Sequence, residues 1–121
     1  MISKINLLEK FQCFSEHWSP KVVGELNDQL IKIAKIKDEF IWHSHANEDE
    51  LFMVIKGTLY MDFRDGTQIL EPGELLVVPK GIEHRPRTDG GEVYIMMIEP
   101  ASTLNTGNKI NERTVEKLDW I

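Results

Sequence analysis

Alternating apolar and polar residues run through most of the chain after Val22. In the segment GTLYMDFRDGT, Leu59, Met61 and Phe63 would fall on one side of an extended strand, because successive strand residues point to opposite faces. Turn signals of the Asp-Gly, Pro-Gly and Lys-Gly type separate such segments at regular intervals. The pattern predicts many short antiparallel strands.

Two segments depart from this alternation and are continuously apolar, ELLVVP at 74–79 and YIMMI at 94–98. Runs of this kind are typical of strands covered on both faces. We expect one face to point into a barrel and the other to meet a second layer or a second subunit. Closure into a barrel would also protect the sheet edges.

The two ends of the chain carry weaker signals. Ser3 could cap a short helix in which Ile5, Leu8 and Phe11 share a face. The segment Ala101–Arg113 is rich in Ser, Thr, Asn and Gly, which favours extended, solvated chain. The prediction is therefore an all-β domain with at most one short N-terminal helix.

Composition limits the classes of function. A length of 121 residues with 41% hydrophobic content suits one globular domain over residues 1–121. A net charge of -6 argues against nucleic-acid binding, which depends on clustered Lys and Arg. No apolar run approaches the roughly 20 residues needed to cross a bilayer, so we expect no membrane partner and a cytoplasmic location. Cys13 is the single cysteine, which excludes an internal disulfide.

Candidate chemistry is concentrated in FIWHSHANEDELF, where one residue separates His43 from His45 and Glu50 follows after a turn. On a strand, the two histidines would point to the same face, about 6.5–7 Å apart, close enough to bind one ion. Glu50 begins the next strand, so a hairpin would bring its carboxylate beside the two imidazoles. A further histidine, His84, follows the turn in GELLVVPKGIEH.

Together these segments resemble the two sequence motifs of the cupin superfamily. The spacings that match are His43-x-His45, Glu50 and Gly57 in the first segment, and Gly73, Pro79-x-Gly81 and His84 in the second. The chain is also similar to the small single-domain cupins described as resembling mannose-6-phosphate isomerase. The resemblance implies a jelly-roll barrel, or double-stranded β-helix, with His43, His45, Glu50 and His84 as metal ligands.

Three imidazoles and one carboxylate would leave a divalent ion with a net charge near +1 and open positions for a ligand. Such a donor set suits Fe, Mn, Ni, Co, Cu or Zn and disfavours Mg and Ca. Alternation places Phe52, Val54, Met61 and Phe63 on inward faces, which predicts an apolar substrate pocket for a small molecule.

The function remains open between two classes. The first is a metal-dependent enzyme, a dioxygenase, isomerase or lyase, and the second is a non-catalytic metal- or ligand-binding or sensing module. Lyases with this motif carry a tyrosine where this chain has Phe52, which weighs against that reaction. We expect a homodimer, with Trp42 and Tyr60 pointing away from the pocket.

Three other polar residues near these motifs have simpler interpretations. His17 has no partner at ligand spacing, so it reads as an ordinary surface or packed histidine. Glu48 reads as a solvated loop charge. Arg85 follows His84 directly, so on a strand it would face away from the pocket.

Overall fold

The computed structural model describes all residues, Met1–Ile121. It contains one short helix and nine strands. Their bounds are α1 Leu7–Phe11, β1 Lys21–Leu26, β2 Gln29–Ile36, β3 Glu50–Lys56, β4 Leu59–Phe63, β5 Gly66–Leu70, β6 Leu75–Val78, β7 His84–Arg87, β8 Val93–Pro100 and β9 Asp119–Trp120. The only helix spans five residues, and no helix here is long and apolar enough to cross a membrane.

The strands form two sheets with a shared core. The larger sheet has the order β6-β3-β8-β2-β1-β9, and the smaller has the order β5-β4-β7. One hydrophobic cluster takes residues from both sheets, among them Val54 on β3, Met61 on β4 and Ile95 on β8. This is the predicted jelly-roll architecture, with inward positions set by the two-residue period of the strands.

The helix begins later than the sequence predicted. Asn6, not Ser3, caps it, since the Asn6 side chain accepts a hydrogen bond from the Glu9 amide at 3.0 Å. Ile5 and Leu8 are exposed, so the predicted shared face is wrong for them. Phe11 alone is buried, and it stacks on Tyr94 with ring centroids 4.4 Å apart. The helix thus covers the outer face of β8.

The two continuously apolar strands, β8 and β6, differ in whether other residues of the chain cover their outer faces. Tyr94 and Met96 on the outer face of β8 pack against the cluster that includes Phe11, as predicted. By contrast, Leu75 and Val77 on β6 are 55% and 53% exposed. No other layer of this chain covers these two side chains, so the prediction of a second covering layer from this chain is wrong for β6, an edge strand of the larger sheet.

The tail is not extended, solvated chain, and that prediction is wrong. Thr103 and Thr106 are buried, and the segment turns repeatedly before β9 pairs in parallel with β1. Thr106 and Thr114 share a hydrogen bond of 2.7 Å between their hydroxyls. Several polar residues of the tail thus hydrogen-bond one another, and the segment packs onto the barrel.

Candidate metal centre

The two closely spaced histidines lie in the connection before β3, outside regular strand structure. His43 pairs with His84 at the start of β7, since each amide donates to the carbonyl of the other, at 3.1 and 2.9 Å. The predicted hairpin with β3 is wrong, because β6 and β8 occupy both edges of β3. Glu50 is nevertheless the first residue of β3, as predicted.

The four side chains meet inside the barrel. One ligand atom from each of His43, His45, Glu50 and His84 lies within 4.8 Å of the others, and no side chain is more than 4% exposed. Oε1 of Glu50 lies 2.8 Å from Nε2 of His45 and 3.1 Å from Nε2 of His84.

None of these three close atoms has a hydrogen-bond partner, although all are buried. Buried polar atoms without partners are costly and uncommon in native proteins. Their convergence fits a metal ion that would accept all of their lone pairs together. The residues present therefore fit a mononuclear site.

Backbone carbonyls fix the orientation of two of the imidazoles. Nδ1 of His43 donates to the carbonyl of Ile41 at 2.9 Å, and Nδ1 of His84 donates to that of Ile82 at 3.0 Å. A carbonyl can only accept, so the proton sits on Nδ1 and the Nε2 lone pair is free. Both rings are held ready to bind a cation through Nε2.

Burial sets the charges of the site. Burial, and next the charge of His84, lower the pKa of His43 to about 4, so this imidazole is neutral near pH 7. Burial acts to raise the pKa of Glu50, but Glu99, His45 and His84 outweigh it and hold that pKa well below its usual value. The site therefore offers a carboxylate and a neutral imidazole at physiological pH.

A buried ion pair lies next to Glu50. Nζ of Lys32 lies 2.8 Å from Oε1 of Glu99, and both side chains are 2% exposed. Burial, followed by the neighbouring Glu50, raises the pKa of Glu99 well above its usual value, while Lys32 opposes the rise. The polar centre of the barrel thus extends from the histidines through Glu50 to Lys32.

A small apolar pocket, partly open to solvent, adjoins the centre. Phe52, one of the four residues predicted for a substrate pocket, lines it together with His43 and Glu50. Val54 and Met61 lie in the hydrophobic core and Phe63 packs against that core. The other lining residues are Trp18, Pro20, Ala34, Ile36, Phe40, Pro86, Ile95, Met97, Glu99 and Asn105.

A family model described as a cupin domain matches residues 30–99, more than half of the chain. This protein is a cupin. A crystal structure of a cupin-2 domain containing protein from Shewanella frigidimarina is 49% identical, with a TM-score of 0.77 over 79% of this chain and 93% of that one. The comparisons support the superfamily and give no support to a likeness to mannose-6-phosphate isomerase.

Two curated relatives match over part of their length. Uncharacterized protein YdbB of Bacillus subtilis is 40% identical over 67 residues, 54% of this chain and 59% of that protein. An acireductone dioxygenase of Phaeosphaeria nodorum is 36% identical over 105 residues, 78% of this chain and 56% of that protein. The cupin therefore spans little more than half of the curated relatives it matches.

Three polar residues near the motifs lie outside the ligand group of this cupin. His17 contacts Glu92 at 2.6 Å, and neither residue belongs to the ligand group. Arg85 faces away from the pocket and pairs with Asp62. The Glu48 carboxylate is 3.9 Å from Nδ1 of His45 and accepts a hydrogen bond from Ser102.

Trp42 and Tyr60, the two aromatic residues expected to point away from the pocket, contact arginines of the same chain. The guanidinium of Arg64 lies 3.8 Å from the ring centroid of Trp42, and that of Arg87 lies 4.7 Å from the ring of Tyr60. Both rings point away from the pocket of the cupin, since neither lines it.

Sequence reasoning missed the contribution of the tail. The carbonyl of Ser44, between the two histidines, accepts a hydrogen bond from the Asn108 amide at 2.9 Å, and the Ser44 amide donates to the Asn108 side chain at 3.0 Å. Asn105 lines the pocket. The one available signal was the Thr-Leu-Asn-Thr-Gly series at 103–107, whose polar side chains favour local turns.

Proposed function

We propose that this cupin is a mononuclear metal-dependent enzyme of the dioxygenase class. Its substrate is a small, largely apolar metabolite with one metal-binding end. The observation that carries the proposal is the group of buried, unpartnered ligand atoms on His45, Glu50 and His84, beside an apolar pocket. A site with convergent polar groups in an apolar cavity is the usual form of a small-molecule active site.

His43, His45, Glu50 and His84 would hold the ion. Nitrogen and carboxylate donors suit Fe, Mn, Ni, Co, Cu or Zn. When bound, such an ion supplies either redox chemistry with oxygen or polarisation of a substrate oxygen. The residues themselves supply a fixed, preformed cradle, because two imidazoles are already oriented by backbone carbonyls.

The pocket walls would exclude water and select the substrate. Phe52, Ile95 and Met97 are buried at 2–6% exposure and surround the approach to Glu50. An apolar wall next to a charged centre strengthens electrostatic interactions there. It also favours a substrate whose polar groups are concentrated at the metal-binding end.

Two observations favour a dioxygenase over an isomerase or a lyase. The 36% identity to an acireductone dioxygenase covers most of this chain. In addition, Phe52 stands where lyases with this motif carry a tyrosine, and it lines the pocket. The relative is matched over 56% of its length, so the substrate itself is left to experiment. A homodimer in the cytoplasm also stays a prediction.

Oxygen uptake tests the proposal. Untagged chain loaded anaerobically with Fe²⁺ is mixed with a pool of small metabolites, while an electrode follows oxygen and mass spectrometry follows the pool. We expect oxygen uptake coupled to loss of one metabolite, and neither change with His84→Ala. A metabolite retained by the wild type without any product would instead favour the binding or sensing module.

A further inference from the structure

The guanidinium of Arg113 stands apart from the other arginines of the chain. Arg64 pairs with Glu83, and Arg85 and Arg87 both pair with Asp62. Nη1 of Arg113, in contrast, is buried and has no hydrogen-bond partner. A buried guanidinium donor without an acceptor is costly, so an acceptor from outside the chain would relieve a cost that the fold now carries.

Arg113 lies against two aromatic residues that line the metal-site pocket, although it does not line the pocket itself. Its Cζ atom is 5.6 Å from the ring centroid of Trp18 and 5.7 Å from that of Phe40. The two rings stack on each other at 4.8 Å, and both line the pocket. Phe40 also meets His43 edge-on at 5.4 Å. One aromatic ring therefore separates the guanidinium from a metal-ligand imidazole.

The loop that carries Arg113 is braced on both sides. The Asn105 amide group donates to the Arg113 carbonyl and its oxygen accepts from the Val115 amide, both at 2.8 Å. The Arg113 amide donates to the Asn111 side chain, also at 2.8 Å. These contacts fix the backbone at Arg113, although its buried Nη1 makes no hydrogen bond. Such preorganisation lowers the entropic cost of binding a ligand.

We propose that Arg113 binds a carboxylate of the ligand at the pocket edge. The inference rests on the proposed function, because the other end of that ligand would reach the metal centre. The substrate class is then a small molecule with a carboxylate, an apolar middle and a metal-binding end. The planar guanidinium matches a carboxylate with two parallel hydrogen bonds.

A carboxylate fits this subsite better than a phosphate. A phosphate carries more charge and more acceptor oxygens, and it normally needs several donors. Lys32, a buried cation of the barrel, already pairs with Glu99 at 2.8 Å. Arg113 offers one guanidinium that has no carboxylate partner, beside the aromatic rings of Trp18 and Phe40.

The test compares pentanoate with pentanamide, its uncharged counterpart of the same shape. Tryptophan fluorescence follows each titration on the full chain stripped of metal, so that no ligand can bind through a metal. The variants are Arg113→Gln, Arg113→Lys and, as a matched control, Arg64→Gln, which removes an exposed arginine stacked on Trp42. Circular dichroism and thermal unfolding confirm that each variant is folded.

We expect pentanoate to bind the wild type about tenfold more tightly than pentanamide, as for one hydrogen-bonded charge. Arg113→Gln should abolish this preference, Arg113→Lys should keep part of it, and Arg64→Gln should keep all of it. Equal affinities in the wild type, or a preference that survives in Arg113→Gln, would overturn the subsite. Inorganic phosphate that binds more tightly than pentanoate through Arg113 would overturn the carboxylate assignment.

Measuring the metal content distinguishes a failure of the Arg113 subsite from a failure of the proposed metal-dependent function. If the wild type takes up no metal while pentanoate behaves as expected, the proposed function fails and the subsite stands. If the metal binds and supports oxygen uptake but Arg113→Gln keeps the pentanoate preference, the subsite alone is refuted.

Discussion

Gly107 lies directly against the backbone carbonyl of Ser44, the residue between the two closely spaced histidines. A Cβ atom built on Gly107 would overlap the Ser44 oxygen and would also approach the ring of His43 to 3.1 Å. Gly107 adopts a φ of +57°, a conformation that glycine tolerates best. The tail can hold the histidine segment this closely because position 107 has no side chain.

Gly107→Ala should therefore weaken metal binding more than it weakens the fold. The new methyl group must push Ser44 away, which moves His43 and His45 out of register with Glu50. We expect zinc affinity, measured by competition with a chromophoric chelator, to fall at least about tenfold, since displaced ligands cost one or more kcal/mol. Stability to urea should fall by about 1–3 kcal/mol.

Gly73→Ala is the matched control for this substitution. Gly73 also has a positive φ, +86°, but nothing lies within 4 Å of the added Cβ. The control should lose stability through backbone strain and keep the wild-type zinc affinity. Wild-type zinc affinity in Gly107→Ala would refute the role assigned to the tail.

The metal ligands could be predicted from the sequence because turns at fixed positions set the backbone beside them. Gly57 and Gly81 have φ values of +90° and +83°, and these turns set where β3 ends and where His84 begins β7. The ligand types and their spacing therefore survive in the linear sequence. The strand that pairs with the histidine segment could not be predicted in the same way. Strand pairing depends on which edges remain free in the folded sheet.

The Lys32–Glu99 pair could not be predicted for a related reason. Lys32 lies in β2, with the sequence QLIKIAKI, and Glu99 lies in β8, with the sequence VYIMMIEP. Both strands are mainly apolar and contain a few polar residues. The register between β2 and β8 determines which of these polar residues lie close together inside the barrel. In that register, Lys32 opposes Met97 and Leu30 opposes Glu99. Likewise, polar tail residues find partners several positions away along the chain, as in the contact of Thr106 with Thr114, which is eight positions away.

This pair should show strong coupling in a double-mutant cycle. Lys32→Met leaves Glu99 without its cation, and Glu99→Leu leaves Lys32 buried and alone. Each single substitution should destabilise the fold by about 3 kcal/mol, while the double substitution should cost less than either single one. Urea unfolding at pH 7 measures all four proteins. Additive losses would show that the two side chains do not interact.

Asp62 should make the stability depend on acid pH. Burial raises the pKa of Asp62, but hydrogen bonds from Arg87, Thr67 and Arg85 outweigh it and lower this pKa to about 2. A pKa depressed by folding gives stability that is complete above the unfolded value of 3.8 and is lost as pH falls toward 2. The predicted contribution at pH 7 is on the order of 2 kcal/mol.

Asp62→Asn tests this contribution by urea unfolding across pH. The variant should be less stable than the wild type by about 2 kcal/mol at pH 7, since the arginines lose their carboxylate. The gap should narrow between pH 4 and pH 2, where the wild-type carboxyl itself takes up a proton. A gap of the same size at pH 7 and pH 2 would contradict the assigned pKa.

Metal stoichiometry tests the central claim most directly. Chain purified without a histidine tag, incubated with Zn²⁺ and dialysed, is analysed by inductively coupled plasma mass spectrometry beside His45→Ala and His17→Ala. His17 is the matched control because it contacts Glu92, away from the centre. We predict about one zinc per chain for the wild type and for His17→Ala, and almost none for His45→Ala. Undiminished zinc in His45→Ala would contradict the account.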